Sequence, residues 1–371
     1  MEKIKLVYIC ETLSGGVRKH IIDLLNYIDK DKYEVHLIHG ESRMDSLFIK
    51  FKHKMYDINF YPISEMQREM NIIKDLISYK KVLKILWDIK PDVIHCHSSK
   101  AGVIGRLAAK TVRVKKVFYT PHGYIIQNPN ISNKKKMFFC LIEKIFAKYF
   151  TNKVVHVSKG EEKEAIKHKL VNKKKSTVIY NGMNVPSPQD KVSNETINIV
   201  TIARMDEQKN PWDSIKIIEA LVKEIPDIKY TFVGDGYFYN DIKKYVKEHG
   251  LEKRILLPGF LDNPLNVVKK ADIFLLTSLY EGLPYALIEA LAYKVPLVVT
   301  NVTGNNELVI EEYNGYLFKL GDLEDGKNKM KRLINHLNNS TNMSDNAYAY
   351  FLENFTFDKM IKKYDELYST H

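Results

Sequence analysis

The hydrophobic positions of this chain fall into two alternating rhythms. Apolar runs at residues 5–10, 33–40, 92–97 and 116–120 are too short for helices and are bounded by turn residues, so they read as buried strands. Between them apolar residues recur at helical spacing: Val17, Ile21, Leu24 and Ile28, then Val82, Ile85, Leu86 and Ile89, a helix that stops before Pro91. A small-residue helix over 101–109 follows the third strand, and strands at 154–158 and 177–181 complete the first set. Residues 183–196 break the rhythm with two prolines and a polar run, the pattern of a linker. The rhythm restarts with a strand at 197–202, a helix over 212–223, and strands at 229–233, 255–257, 273–276 and 295–300. A last helix is expected over about 357–368. Strand–helix alternation in both halves predicts an α/β protein of two parallel-sheet, Rossmann-like domains. We place them at residues 1–185 and 186–354. Ligands of such sheets bind beyond the carboxyl ends of the strands.

Composition adds limits. A chain of 371 residues exceeds one ordinary core, since about 150 residues make a domain. No apolar run reaches the ~18 residues of a membrane span. The opening MEKIKLVYIC runs directly into the Glu11–Gly16 turn and reads as a strand, not a signal peptide, so a cytoplasmic protein is expected. Cys10, Cys96 and Cys140 are odd in number and far apart, which is no disulfide framework. In a strand, His95 and His97 face one way and Cys96 the other, and no second ligand cluster of suitable spacing accompanies them, so no metal site is expected there. The net charge of +12 is uneven: residues 1–185 carry 35 Lys and Arg against 18 Asp and Glu, and residues 186–371 carry 22 against 27. A basic first half suits an anionic partner such as a membrane surface. A nucleic acid is not expected, because no recognition motif accompanies the charge.

Four local signals carry chemistry. Gly15 and Gly16 stand between the first strand and its helix, where backbone can approach a ligand and helix N–H groups favour phosphate. Arg204 and Lys209 follow the first strand of the second half and precede a helix with Pro211 in its first turn, cations suited to a diphosphate. In Tyr280-Glu281-Gly282-Leu283-Pro284-Tyr285-Ala286-Leu287-Ile288-Glu289, an apolar strand ends in a glycine turn and enters a helix. The N–H groups of Gly282 and Leu283 can face an anion, and Pro284 suits the first helical turn. Glu281 then lies at the helix mouth and Glu289 about two turns on, two carboxylates able to hold different hydroxyls of one extended ligand. His122, between Pro121 and Gly123, follows another strand.

In this order the signals resemble the family-four retaining glycosyltransferases of GT-B fold, two Rossmann-like domains facing a central cleft. Glu281…Glu289 resembles that family's E-x7-E motif, Arg204 and Lys209 its Arg/Lys pair, and Gly15-Gly16 with His20 its first phosphate-facing loop. His95–Gly102, the TPHGY segment, Ser158, Tyr180-Asn181-Gly182 and Gly304–Glu307 resemble bacterial capsular and surface-polysaccharide members. Tyr285 departs from the residue many relatives carry, which bears on donor choice. The resemblance implies an enzyme that moves a hexosyl or N-acetylhexosaminyl group from a nucleotide-sugar donor, UDP-linked, to a saccharide or polyprenyl-diphosphate-linked acceptor. Arg204 and Lys209 would hold the diphosphate, Glu281 the transferred sugar, Glu289 the ribose, and His122 the sugar near the reacting carbon. The base would lie near Gly234-Asp235-Gly236 and Phe260, and the last helix, about 355–371, would cross back to the first domain. Acceptor contacts would come from the first domain, with His20 and Arg68 as candidates.

Breaking a sugar–phosphate bond leaves negative charge on the departing phosphate, which fixed cations and helix N–H groups stabilise. Neither a metal nor any other cofactor is therefore expected. Asp29-Lys30-Asp31 has the letters of a metal-binding Asp-x-Asp but falls in a helix-to-strand loop and reads as a polar turn. Residues 133–150 combine Lys134, Lys135, Lys136, Lys144 and Lys148 with a broad aromatic face. That helix either lies on an anionic membrane or packs Phe138, Ile142, Ile145 and Tyr149 on the core. Two other function classes fit the scaffold, a nucleotide-sugar epimerase and a non-catalytic sensor. The first lacks an obvious second set of acid/base carboxylates, and the second leaves the intact Arg204, Lys209, Glu281 and His122 set unexplained.

Overall fold

The computed structural model describes residues 2–187, 196–338 and 342–369, so part of the linker read at 183–196 lies outside the described residues. The chain divides into two compact units, Met1–Asn181 with Met360–His371, and Gly182–Lys359.

The first unit alternates β1 (Ile4–Cys10), α1 (Gly15–Tyr27), β2 (Tyr33–Gly40), α2 (Ser46–Lys52), β3 (Ile58–Ile63), α3 (Ile72–Ile89), β4 (Val93–His97), α4 (Ser99–Thr111), β5 (Lys116–Thr120), α5 (Asn133–Tyr149), β6 (Lys153–His156), α6 (Lys159–Lys167) and β7 (Ser176–Val178). Its sheet runs β3-β2-β1-β4-β5-β6-β7, parallel throughout. The chain therefore builds outward from β1 in one direction, then returns and builds the other way from β4. The carboxyl ends of β1 and β4 flank this switch point, the usual ligand position in open α/β sheets.

Side-chain alternation along β1 makes two cores. Val7 and Ile9 share one with Val82 and Leu86 of α3 and Ala101 and Ile104 of α4. Leu6, Tyr8 and Cys10 share the other with Ile21 and Leu24 of α1 and Phe48 of α2. Small residues let α4 lie directly on the sheet: a Cβ on Gly102 would sit 2.4 Å from the Tyr119 ring, and one on Gly105 2.6 Å from Cys96 Sγ. The fully buried Arg106 stacks over Tyr119 at 3.8 Å and pairs with Glu143 at 3.1 Å, tying α4 to α5. The face of α5 opposite Glu143 is open. Phe138, Ile145 and Tyr149, weighed above as core residues, are exposed together with Met137 and Leu141.

The second unit runs β8 (Ile197–Ile202), α7 (Pro211–Glu224), β9 (Ile228–Val233), α8 (Tyr239–Glu248), β10 (Ile255–Gly259), α9 (Leu265–Val268), β11 (Ile273–Leu276), α10 (Tyr285–Ala292), β12 (Leu297–Thr300), β13 (Gly315–Phe318), α11 (Leu323–Asn338) and α12 (Met343–Asn354). Its parallel sheet is ordered β10-β9-β8-β11-β12-β13, so the switch point lies between β8 and β11. Ile215, Ile218 and Leu221 of α7, Ile242 and Val246 of α8, and Met330 and Leu333 of α11 bury against Ile199 and Phe232.

The last helix, α13 (Phe357–Ser369), returns to the first unit, where Met360, Tyr364 and Tyr368 join the core of β1 and α1. Among the described residues no helix is long and apolar enough to cross a membrane. Strands β3 and β13 and the first turns of α3 were not predicted from the sequence.

Candidate active site

In the second unit, the loops after β8 and β11 meet at the switch point. Lys209 Nζ lies 2.5 Å from Glu281 Oε1, and both side chains are largely buried. Arg204 is half exposed; its guanidinium pairs with Asp206 at 3.0 Å and donates to Gln208 Oε1 at 3.3 Å. Gln208 holds the two loops together, its Nε2 donating to the Tyr280 carbonyl at 3.1 Å while its own carbonyl accepts from Leu279 N–H at 2.8 Å. Thr277 Oγ1 adds a donation to the Asn210 carbonyl at 2.8 Å. The end of β12 supports the second loop: Thr300 Oγ1 donates to the Ser278 carbonyl at 2.7 Å. Gly304, at φ +87°, sits so close that a Cβ would fall 2.5 Å from the Gly282 carbonyl oxygen. The chain then enters α10 with Pro284 as its N-cap and no side chain capping it. Buried Glu289 is part-way along that helix. Gly234, after β9, lies close against the Ala203 backbone, and Phe260 is exposed.

In the first unit, Gly15 adopts φ +58° and opens α1, whose amino end has no side-chain cap from Ser14. Free N–H groups there could meet an anion. His122, at φ +58°, is partly buried beyond β5. The next residue is pinned: the Gly123 N–H donates to Glu161 Oε1 at 2.5 Å, and the Val157 N–H donates to Oε2 at 2.9 Å. Glu161 is fully buried. His97 Nδ1 is 3.1 Å from His122 Nε2, and the two rings stack. His95 bonds Tyr368 through Nδ1 at 2.6 Å and Thr120 through Nε2 at 2.8 Å. Burial and the neighbouring rings hold His95, His97 and His122 well below the ordinary imidazole range, so all are neutral near pH 7.

Two expectations change. His20, a candidate for acceptor contact, is fully buried. Its Nδ1 faces Asn181 at 3.1 Å and its Nε2 faces the Tyr364 hydroxyl at 3.3 Å, so the ring braces α1 against α13. Burial lowers its pKa to about 4. Arg68 is exposed on the loop beyond β3, where its charge acts on Glu11. The second change concerns histidine spacing. His95 and His97 share a face as expected, with Cys96 in the opposite core, but His20 and His122 join them from distant segments. His20, His97 and His122 place nitrogens within 4.8 Å of one another, a spacing a metal ion could use. His20 already commits both nitrogens to Asn181 and Tyr364. Asp29 forms a polar turn, its Oδ1 accepting from the Asp31 and Lys32 N–H groups. Gln208 and Glu161 carried no signal in the sequence, and His97 was read there only as part of the His-Cys-His run.

Comparison with known proteins identifies the family. Residues 14–185 match the family described as Glycosyltransferase Family 4, and residues 187–350 that described as Glycosyl transferases group 1. The chain is 28% identical to an Escherichia coli UDP-Gal:alpha-D-GlcNAc-diphosphoundecaprenol alpha-1,3-galactosyltransferase, over 99% of this chain and 97% of that protein. It is 21% identical to the Staphylococcus aureus capsular polysaccharide biosynthesis glycosyltransferase CapM, over 93% and 92% of the two chains. The crystal structure of Anabaena HepE in complex with UDP and glucose superposes with a TM-score of 0.80 at 19% identity, over 98% of each chain, a likeness of fold.

Proposed function

Since the chain is a glycosyltransferase of the family-four type with the GT-B fold, we propose that it moves a hexosyl or N-acetylhexosaminyl group, with retention of configuration, from a UDP-sugar to a saccharide acceptor on a polyprenyl diphosphate. The setting we infer is bacterial surface-polysaccharide assembly. The UDP donor and lipid-linked acceptor draw support from the name of the E. coli relative, and the polysaccharide setting from that of CapM. The observation that carries the reading is the braced constellation of Lys209, Glu281 and Arg204 beside the amino end of α10 at the β8/β11 switch point.

As the bond between sugar and diphosphate breaks, positive charge grows on the anomeric carbon and negative charge on the departing oxygen. Arg204 offers a planar fork to the phosphates. The N–H groups of Gly282 and Leu283 add fixed dipoles. Lys209 and Glu281 satisfy each other until a donor arrives. Lys209 then turns to a phosphate oxygen and Glu281 accepts from sugar hydroxyls, so the buried pair is exchanged rather than broken. His122 contacts the sugar, Glu289 the ribose, and Gly234 and Phe260 flank the base; Gly15 and Gly16 offer N–H groups suited to phosphate. With these groups the departing phosphate needs no ion, and the reaction proceeds without a metal.

Membrane attachment is supported by the outward face of α5. Its outward face presents Met137, Phe138, Leu141, Ile145 and Tyr149 among the exposed Lys134, Lys135, Lys144 and Lys148. Apolar side chains enter the interface while lysines meet anionic headgroups, each contributing about 1 kcal/mol near the surface. The bilayer meant is the inner face of the cell membrane, where a polyprenyl-linked acceptor resides.

Incubation with a panel of UDP-sugars and a polyprenyl-diphosphate-linked acceptor tests the reaction. Transfer to lipid with the donor's anomeric configuration, undiminished by EDTA, is expected. Free isomerised sugar, or activity lost to EDTA and restored by magnesium, would overturn it.

A further inference from the structure

The buried histidines beside His122 are not equivalent. His95 has both nitrogens bonded, to Tyr368 and Thr120, and His20 has both bonded, to Asn181 and Tyr364. His97 has one side-chain hydrogen bond among the described residues, from Nδ1 to His122 Nε2 at 3.1 Å, and its Nε2 is buried without a partner. His122 Nδ1 has no hydrogen-bond partner among the described residues and, unlike His97 Nε2, is not sealed from solvent.

Two proton arrangements satisfy the shared bond. If His122 Nε2–H donates, the proton of neutral His97 must sit on Nε2, a buried N–H with no acceptor. If His97 Nδ1–H donates, only a lone pair is left unmet. A buried N–H without an acceptor is the rarer defect. The second arrangement places the proton of His122 on Nδ1, the nitrogen open to a ligand. Stacking of the two rings and the anchoring of Gly123 by Glu161 hold that orientation.

We propose that His97 is a positioning residue for His122: its Nδ1–H fixes His122 as the Nδ1–H tautomer, so that His122 presents a hydrogen-bond donor to the transferred sugar. The role toward sugar rests on the reading of His122 given above; the hydrogen bond itself does not. His97 touches no substrate and acts through the ring it orients.

Two measurements test this. In the 15N-histidine-labelled full chain, long-range 15N–1H correlations should show His122 protonated on Nδ1; an Nε2-protonated His122 overturns the proposal. In transfer assays, His97→Leu should lower kcat about tenfold or more, the lower end of what losing the hydrogen-bond partner of a metal-bound histidine costs. His97→Asn, whose side-chain amide can occupy the place of Nδ1, should recover most of that loss, which a merely space-filling role would not produce. In a His122→Ala background His97→Leu should cost nothing further. Parent-level kcat in His97→Leu, or independent multiplication of the two losses, overturns the proposal. Parent-level activity in His122→Ala sinks the reading of His122 and the catalytic consequence with it, while the tautomer still decides the hydrogen bond.

Discussion

Arg204 and Lys209 carry similar charges at similar places, yet removing them should have different effects. Lys209 and Glu281 form a largely buried pair, so Lys209→Ala strands a carboxylate away from water, at about 3–5 kcal/mol. Arg204 is half exposed and its pair with Asp206 contributes about 0–1 kcal/mol. Either substitution should lower kcat by about 10²–10³, the loss expected for one group stabilising a departing charge. Only Lys209→Ala should also lower the melting temperature, and thermal unfolding beside steady-state kinetics separates the two. These residues were legible because each stands within a few positions of a strand end and a helix start. Gln208 was not, since its work depends on Tyr280 and Leu279, some seventy positions on. His20 was taken as an acceptor contact from its place in a resembling loop, and nothing local told of the Asn181 and Tyr364 that enclose it from distant parts of the chain.

At the scale of elements, most strands were legible as short apolar runs, the partly buried β7 and β10 among them, whereas β3 and β13 were not. β3 has a mixed burial pattern and carries Pro62, which fits its place at the sheet edge. The first turns of α3 were hidden by Ile72, Ile73, Leu76 and Ile77, apolar residues that are exposed and spoil the helical stripe. α5 shows the same feature, and here we propose a use for it. Its inward face is tied down by a charge pair and its outward face is apolar, so helical periodicity alone left core packing and membrane contact as alternatives. Replacing Met137, Leu141 and Ile145 together by glutamine should abolish co-sedimentation with anionic vesicles while leaving stability nearly unchanged, because these side chains are exposed. Binding by the parent should weaken with salt. Vesicle binding equal in parent and variant would count against the proposed surface.

For the whole molecule, alternation in both halves conveyed two parallel sheets, but not their strand order, which depends on how each crossover packs. Nor did it convey the concentration of buried histidines in the first unit. Burial pushes His20, His39 and His156 from 6.5 to about 4, and holds His95, His97 and His122 low as well. The unfolded chain takes up protons as pH falls through 6.5, whereas the folded chain resists until about 4. This contribution to stability is therefore complete above pH 6.5 and is lost progressively as pH falls toward 4. The first unit should unfold ahead of the second on acidification. Trp87 lies in the first unit and Trp212 in the second, so urea titrations followed in Trp212→Phe and Trp87→Phe variants report each separately. The position of α13 has a consequence for synthesis. Residues 182–359 form one continuous stretch, whereas the tyrosines that close the core around β1 and α1 are at positions 364 and 368. On the ribosome, the half translated first must wait for its last wall until the other half has already emerged.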